Sequence, residues 1–133
     1  QYDLLRQIQD ELIKEIILYM DKYTSNGSDN VSSEMLEVIF AYIGENAEIC
    51  ALLLGDSIDM NFQKQVIMIF QHWCFSSWTS NGAAPKRDAE YIYLFSAYGC
   101  IGIIKKWLAE GMKKSPEEMA QLVLMLTNRN FNT

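Results

Sequence analysis

The sequence has few of the residues on which catalysis and metal binding depend. It contains one histidine, His72, with three cysteines and two prolines among 133 residues. Nucleophilic catalysis needs a base beside the nucleophile, and metal sites need clusters of His, Cys or carboxylate. Neither pattern occurs in this sequence. We therefore predict no catalytic residue, no metal site, no cofactor and a protein that is not an enzyme.

Basic clusters and long unbroken apolar runs are also lacking. The 11 Lys and Arg residues against 17 Asp and Glu give a formal net charge of −6, which repels the phosphates of nucleic acid. We expect that this chain alone does not bind DNA. No apolar run reaches about 18 residues, which predicts that no segment spans a membrane, and no signal peptide opens the chain.

The three cysteines are Cys50, Cys74 and Cys100, and each lies in an apolar stretch with helical spacing. An odd number of cysteines without a CxxC motif is typical of reduced thiols in a cytosolic protein. The sequence therefore predicts free thiols and a cytoplasmic location.

Half of the residues are hydrophobic, and most of them recur at steps of three and four residues, as on one face of a helix. No alternation typical of strands occurs. The pattern predicts one domain over 1–133, an all-α bundle of five to six helices. We expect these helices over 2–23, from 32 or 33 to 43, and over 47–54, 59–78, 87–110 and 116–128.

The last two predicted helices carry the clearest local signals. Ser115 and Glu118 have the spacing of a capping box around Pro116, and Gly111 stands where a left-handed C-terminal cap belongs. Gly99 and Gly102 lie inside a helix, where each glycine costs about 1 kcal/mol relative to alanine. Close approach of another helix explains them. The last helix is apolar almost all round, which favours a partner chain.

These two helices also resemble a known family. The segment FSAYGCIGIIKKWLAEG at 95–111, followed by SPEEMA at 115–120, is similar to the C-terminal part of a subgroup of TetR-type transcriptional regulators. Tyr2-Asp3-Leu4-Leu5 resembles the point where such proteins leave their helix-turn-helix module. The subgroup includes proteins that resemble regulators of dihydroxyacetone kinase operons, some of which respond to a protein partner.

The resemblance implies an effector-sensing and dimerisation domain, with DNA bound only through an N-terminal module that is missing from this chain. It implies a homodimer and an effector that is either an apolar small molecule or a protein. The predicted ligand-binding residues are Ile16, Met20, Phe40, Phe70, Trp73 and Tyr98. The predicted dimer-interface residues are Leu94, Gly99, Ile101, Gly102, Leu108, Met119, Leu122, Val123 and Leu126.

Two alternatives remain open at the level of sequence. The aromatic residues of the three long helices either fill the core or line an apolar cavity between helices. Correspondingly, the chain is either an effector sensor or a helical protein-interaction adaptor without a small-molecule ligand. A filled core favours the adaptor, and an internal cavity favours the sensor.

Overall fold

The computed structural model describes residues 2–24, 33–55, 62–69 and 88–131, and no strand occurs within these ranges. The predicted all-α fold is confirmed. We number the helices in chain order as α1 (Tyr2–Thr24), α2 (Ser33–Glu45), α3 (Ala47–Leu53), α4 (helical residues 62–69), α5 (Ala89–Ala109) and α6 (Pro116–Phe131). The predicted loop at 79–86 and the rest of the predicted helix 59–78 lie outside the described residues.

The break between α2 and α3 lies where the sequence predicts it. The Asn46 backbone N–H donates to the carbonyl oxygens of Tyr42 and Ile43, and its side-chain Nδ2 donates to the Tyr42 carbonyl oxygen at 2.9 Å. A short polar side chain that bonds to nearby backbone competes with continued helix. The chain therefore bends at Asn46, and α3 begins at Ala47.

Helix α2 is the centre of the bundle. It packs most extensively against α6 and also contacts α1 and α3, while α3 contacts α5. Its inward residues Met35, Phe40 and Ile43 are all buried. The main core cluster combines buried residues from every helix and from the end of α3: Leu12, Phe40, Ile43, Cys50, Leu53, Leu54, Phe62, Ile101, Trp107, Met119 and Val123.

A pair of glutamines, one buried and one half-buried, joins α1 to α4. Gln9 is 5% exposed, and its Nε2 donates to the Gln65 side-chain oxygen at 3.1 Å. The neighbouring Gln63 is also buried, and its Nε2 lies 3.5 Å from the Leu54 carbonyl oxygen. A buried amide is costly unless it is hydrogen-bonded, so these contacts favour one register of α1 against α4.

The turn between α5 and α6 is built from two capping motifs, both predicted from the sequence. Gly111 has φ +78°. Its N–H donates to the Leu108 carbonyl oxygen, and the Met112 N–H donates to the Trp107 carbonyl oxygen, which is the Schellman pattern. Ser115 then begins the capping box of α6. Both motifs confirm the predicted end of α5 and the predicted start of α6.

Candidate functional site

Helix α5 has a buried side and an exposed side that are both apolar. Ala97, Ile101 and Trp107 are buried at 0%, 5% and 4% exposure. On the opposite side, Tyr91, Phe95 and Tyr98 are 75%, 68% and 51% exposed. We call this second side the outer face of α5 and define it by Tyr91, Phe95, Tyr98, Gly99 and Gly102.

The spacing of the outer face makes it one continuous stripe. Tyr91, Phe95, Tyr98 and Gly102 follow each other at steps of four, three and four residues, which places them one above the other on a helix. A methyl group added at Gly99 or Gly102 would have no atom within 4 Å. Among the described residues, no helix makes the close approach predicted for these glycines.

The exposed area of this stripe is large for a small domain. An aromatic side chain presents about 150–250 Å², so three aromatics at these exposures leave on the order of 400 Å² open. The largest apolar patch of a typical monomer is about 300–600 Å² and is often functional. A standard interface buries about 800 Å² per partner, so the three aromatic rings supply about half of the area that one partner needs.

The structure places the nine predicted interface residues in two groups. Ile101, Met119 and Val123 are buried in the core of the protomer, so they are already covered by their own chain. The other six are exposed or half-buried on α5 and α6, where a partner can reach them: Leu94, Gly99, Gly102, Leu108, Leu122 and Leu126. Met125 of α6, 43% exposed, lies three residues after Leu122 and adds an exposed apolar side chain to this helix.

The six predicted ligand-binding residues are not all on the inside. Ile16 is half-buried, while Met20 and Phe40 are 8% and 4% exposed. Phe40 packs edge-on against Trp107, with ring centroids 5.5 Å apart. Tyr98 projects to the outer face of α5 instead of the core, because Ala97 and Ile101 occupy the inward positions of that turn. Phe70 and Trp73 lie outside the described residues.

Two features of the site escaped sequence reasoning. Tyr91 and Phe95 fit core positions equally well by spacing, because α5 is apolar on both sides and its pattern does not show which side faces inward. Gln9 is a polar residue at an apolar position, one turn after Leu5 and three residues before Leu12. A polar residue at an apolar position of the helical pattern indicates a side chain that needs a hydrogen-bond partner, and this was the sign in the sequence of the pair with Gln65.

The two described thiols and the Tyr42 phenol are buried or half-buried in the helix bundle. Cys50 and Cys100 are free, as the sequence predicts, and burial raises the pKa of each thiol to about 11. Burial and the nearby Glu15 carboxylate raise the pKa of Tyr42, whose ring meets that of Tyr19 edge-on. Within the described ranges, no group of three or more His, Cys, Asp or Glu residues is arranged to hold a metal ion.

One described helix, over Glu90–Ala109, is long and apolar enough to cross a membrane by length and composition alone. The sequence was expected to contain no such segment, because its apolar runs are all interrupted. A core helix of a soluble protein meets the same criterion. Only 18% of the apolar segment is buried in the single chain, and the exposed Tyr91, Phe95 and Tyr98 of the outer face belong to it.

Comparison with known proteins gives one match. No curated protein and no solved structure is significantly similar to the chain. A TetR-type family model described as transcriptional regulator C-terminal region matches residues 30–129. That range contains α2, α3, α4, α5 and nearly all of α6, and it covers well over half of the chain. The chain therefore belongs to the family of TetR-type transcriptional regulator C-terminal regions.

Proposed function

We propose that this chain is the effector-sensing and dimerisation domain of a cytoplasmic TetR-type regulator, in which a separate N-terminal module binds DNA. The outer face of α5 is the observation that carries the dimerisation part. Three exposed aromatics and two glycines with open space beside them form a surface that suits a second helix at close range. No catalytic role is part of the proposal.

The partner that fits this surface best is a second copy of the chain. In a two-fold dimer the same patch lies on both sides of the interface, and the outer face of α5 is apolar along its length and therefore self-complementary. Gly99 and Gly102 let two such helices approach with little side chain between their backbones. The exposed Met125 and Leu126 of α6 provide further apolar area for the same contact.

The proposed effector site includes Ile16 and Met20 of α1 and Phe40 of α2. The sequence also predicts Phe70 and Trp73 for this site, and both lie outside the described residues. Support for it comes from the buried methionine, since methionine side chains adapt to irregular ligands. The buried Gln9 and its half-buried partner Gln65 offer amide groups suited to orienting a polar end of a ligand. Binding would act by favouring one arrangement of the dimer, and its effect equals the difference in affinity between two arrangements.

Oxidative cross-linking tests the dimer contact at one position. Gly102→Cys, in a chain that also carries Cys74→Ser, should form a disulfide between two protomers under mild oxidation, since paired cysteines need Cα atoms about 4.4–6.8 Å apart. Leu18→Cys, on the exposed side of α1, is the matched control and should stay monomeric on a non-reducing gel. Equal cross-linking of both variants would contradict the proposed contact.

The adaptor alternative makes a different prediction for the same surface. A helical adaptor would use the outer face of α5 to bind a different protein, so the purified chain would remain monomeric and Gly102→Cys would not cross-link. For DNA, the net charge of −6 leads us to expect no retention of duplex DNA by this chain in a gel shift at physiological salt.

A further inference from the structure

We infer that Trp107 is a positioning residue that fixes the angle between α5 and α6 and transmits movements of α2 to the outer face of α5. The inference rests on the proposed dimerisation function and adds to it a route from the interior of the protomer to its partner surface. It is carried by the contacts that a single indole ring makes with two parts of the fold, the turn between α5 and α6 and helix α2.

The first contact holds the turn between the two helices. Trp107 Nε1 donates to the Lys114 carbonyl oxygen at 2.8 Å, and Lys114 directly precedes the residue that caps α6. The Trp107 carbonyl oxygen accepts from the Met112 N–H at 2.9 Å. Trp107 is thus bonded to the turn at both its backbone and its ring, so α6 can change its direction relative to α5 only by disturbing this residue.

The second contact is with α2. The Phe40 ring meets the indole edge-on at a centroid distance of 5.5 Å, and Gly44 lies one turn further along the same helix. A methyl group at Gly44 would stand 3.3 Å from Trp107 Cη2 and 3.4 Å from Met112 Sδ. The glycine leaves the room that the indole and the methionine occupy, so α2 is in direct contact with the turn.

The backbone conformation of the turn between α5 and α6 also indicates that its geometry is fixed. Gly111 and Met112 are consecutive residues with φ +78° and +58°. A non-glycine residue in this region is uncommon and persists when its surroundings hold it in place. Met112 is held by its N–H bond to Trp107 and by its packing into the core. The turn is therefore braced by the same indole that contacts α2.

These contacts connect the two proposed surfaces. Phe40 is a proposed effector contact, and the proposed dimer contact on α5 begins five residues before Trp107, at Gly102. Packed interiors transmit displacement because they have little free volume. A shift of Phe40 should therefore move the indole, and through it the direction in which α5 and α6 are presented to the partner.

A second aromatic pair in the same chain provides a matched control. Tyr19 and Tyr42 also meet edge-on with centroids 5.5 Å apart, but this pair joins α1 to α2 and includes no residue of α5 or of the turn. Phe40→Leu and Tyr19→Leu each break one such pair by the same kind of substitution. Trp107→Phe keeps a ring beside Phe40 and removes the N–H that bonds to Lys114.

The measurement is the dimer dissociation constant by sedimentation, with the thermal midpoint from circular dichroism beside it. We expect Phe40→Leu and Trp107→Phe each to raise the dissociation constant about tenfold. The double variant should fall short of the product of the two effects, since both act through one ring. Tyr19→Leu should lower the midpoint and leave the dissociation constant within about twofold of wild type.

Gly44→Ala provides a further test in case Phe40→Leu or Trp107→Phe unfolds and loses its helical circular dichroism signal. Its methyl group presses on the indole and Met112 while alanine favours helix, so it should fold and weaken the dimer. A wild-type dissociation constant in all three turn-directed variants would overturn the role of Trp107 and leave the dimer in place. A wild-type chain that is monomeric throughout would overturn the proposed function and this inference together.

Discussion

Tyr98 and Gly102 lie one helical turn apart on the same side of α5, and both face away from the protomer. Tyr98 is 51% exposed, and a methyl group at Gly102 would meet no atom within 4 Å. A bulky ring followed by an open glycine forms a ridge and a hollow on one helix face. Two copies of such a face can interlock, with the ring of one protomer over the glycine of its partner.

Alanine at position 102 should separate protomer stability from dimer affinity. Gly102→Ala should stabilise the isolated protomer by about 1 kcal/mol, because alanine favours helix and the methyl group meets nothing. It should also raise the dimer dissociation constant about tenfold if the partner's α5 occupies the hollow. Urea denaturation below and above the dissociation constant measures both effects. A tighter dimer would contradict the close approach.

The same substitution nine residues later should have the opposite effect on the protomer. Gly111→Ala places a side chain at φ +78°, a conformation that costs about 1–2 kcal/mol for an L-residue. No neighbouring atom lies within 4 Å of the added methyl group, so the loss comes from the backbone alone. Urea denaturation should show destabilisation by about that amount, and Gly111→Asn should lose less. Equal stability of wild type and Gly111→Ala would refute this explanation.

The cap of α6 predicts a pH-dependent contribution to stability. The Ser115 N–H donates to Glu118 Oε1 at 2.9 Å, and the Glu118 N–H donates to Ser115 Oγ at 3.1 Å. Ser115→Ala should cost about 1 kcal/mol. Hydrogen bonds from the Ser115 backbone N–H and from the Ser115 hydroxyl to the carboxylate lower the pKa of Glu118 below its ordinary value of 4.5.

A group whose pKa is lowered by folding stabilises the fold above its unfolded pKa and loses this effect as the pH falls through its folded pKa. Glu118→Gln should therefore reduce the thermal midpoint at pH 7, and the difference from wild type should shrink below about pH 4. Glu117→Gln, which removes a charge from the same turn without touching the cap bonds, is the control. A difference that persists unchanged at pH 2 would exclude the carboxylate as its source.

The two described thiols should resist alkylation while the chain is folded. Burial raises the pKa of Cys50 and Cys100 from 9.0 to about 11, and the thiolate is the reactive form. In a Cys74→Ser chain at pH 8, iodoacetamide should react about 100-fold more slowly than after unfolding in urea, from ionisation alone. The rate should rise as the pH approaches 11. Rapid labelling of either thiol at pH 8 would show that it is accessible.

The helix boundaries could be predicted from the sequence because they depend on local chemistry. The break at Asn46, the cap at Gly111 and the capping box at Ser115 each rest on a few neighbouring residues, and the structure has all three. The orientation of α5 depends instead on which of two apolar sides meets α2 and α3. Local spacing does not contain that information, so Ile101 was predicted at the interface and Tyr98 in the interior.

The periodicity of apolar residues also could not predict the hydrogen bonds of the interior. Gln9 pairs with a residue 56 positions away, and nothing in the neighbourhood of Gln9 identifies that partner. The same holds for Phe40, whose spacing on α2 predicts burial but does not predict the edge-on contact with Trp107. Long-range side-chain contacts follow from how the helices pack, and several packings satisfy the same amphipathic pattern.

Sedimentation of three chains at micromolar concentration tests dimerisation through the outer face of α5 most directly. Wild type should give a mass near twice 15.3 kDa. Tyr98→Glu should give a folded monomer, because it places a charge in the contact. Leu18→Glu, at a residue of α1 with 53% exposure against 51% for Tyr98, should remain a dimer. A monomeric wild type, or a Tyr98→Glu chain that dimerises as tightly as wild type, would contradict the account.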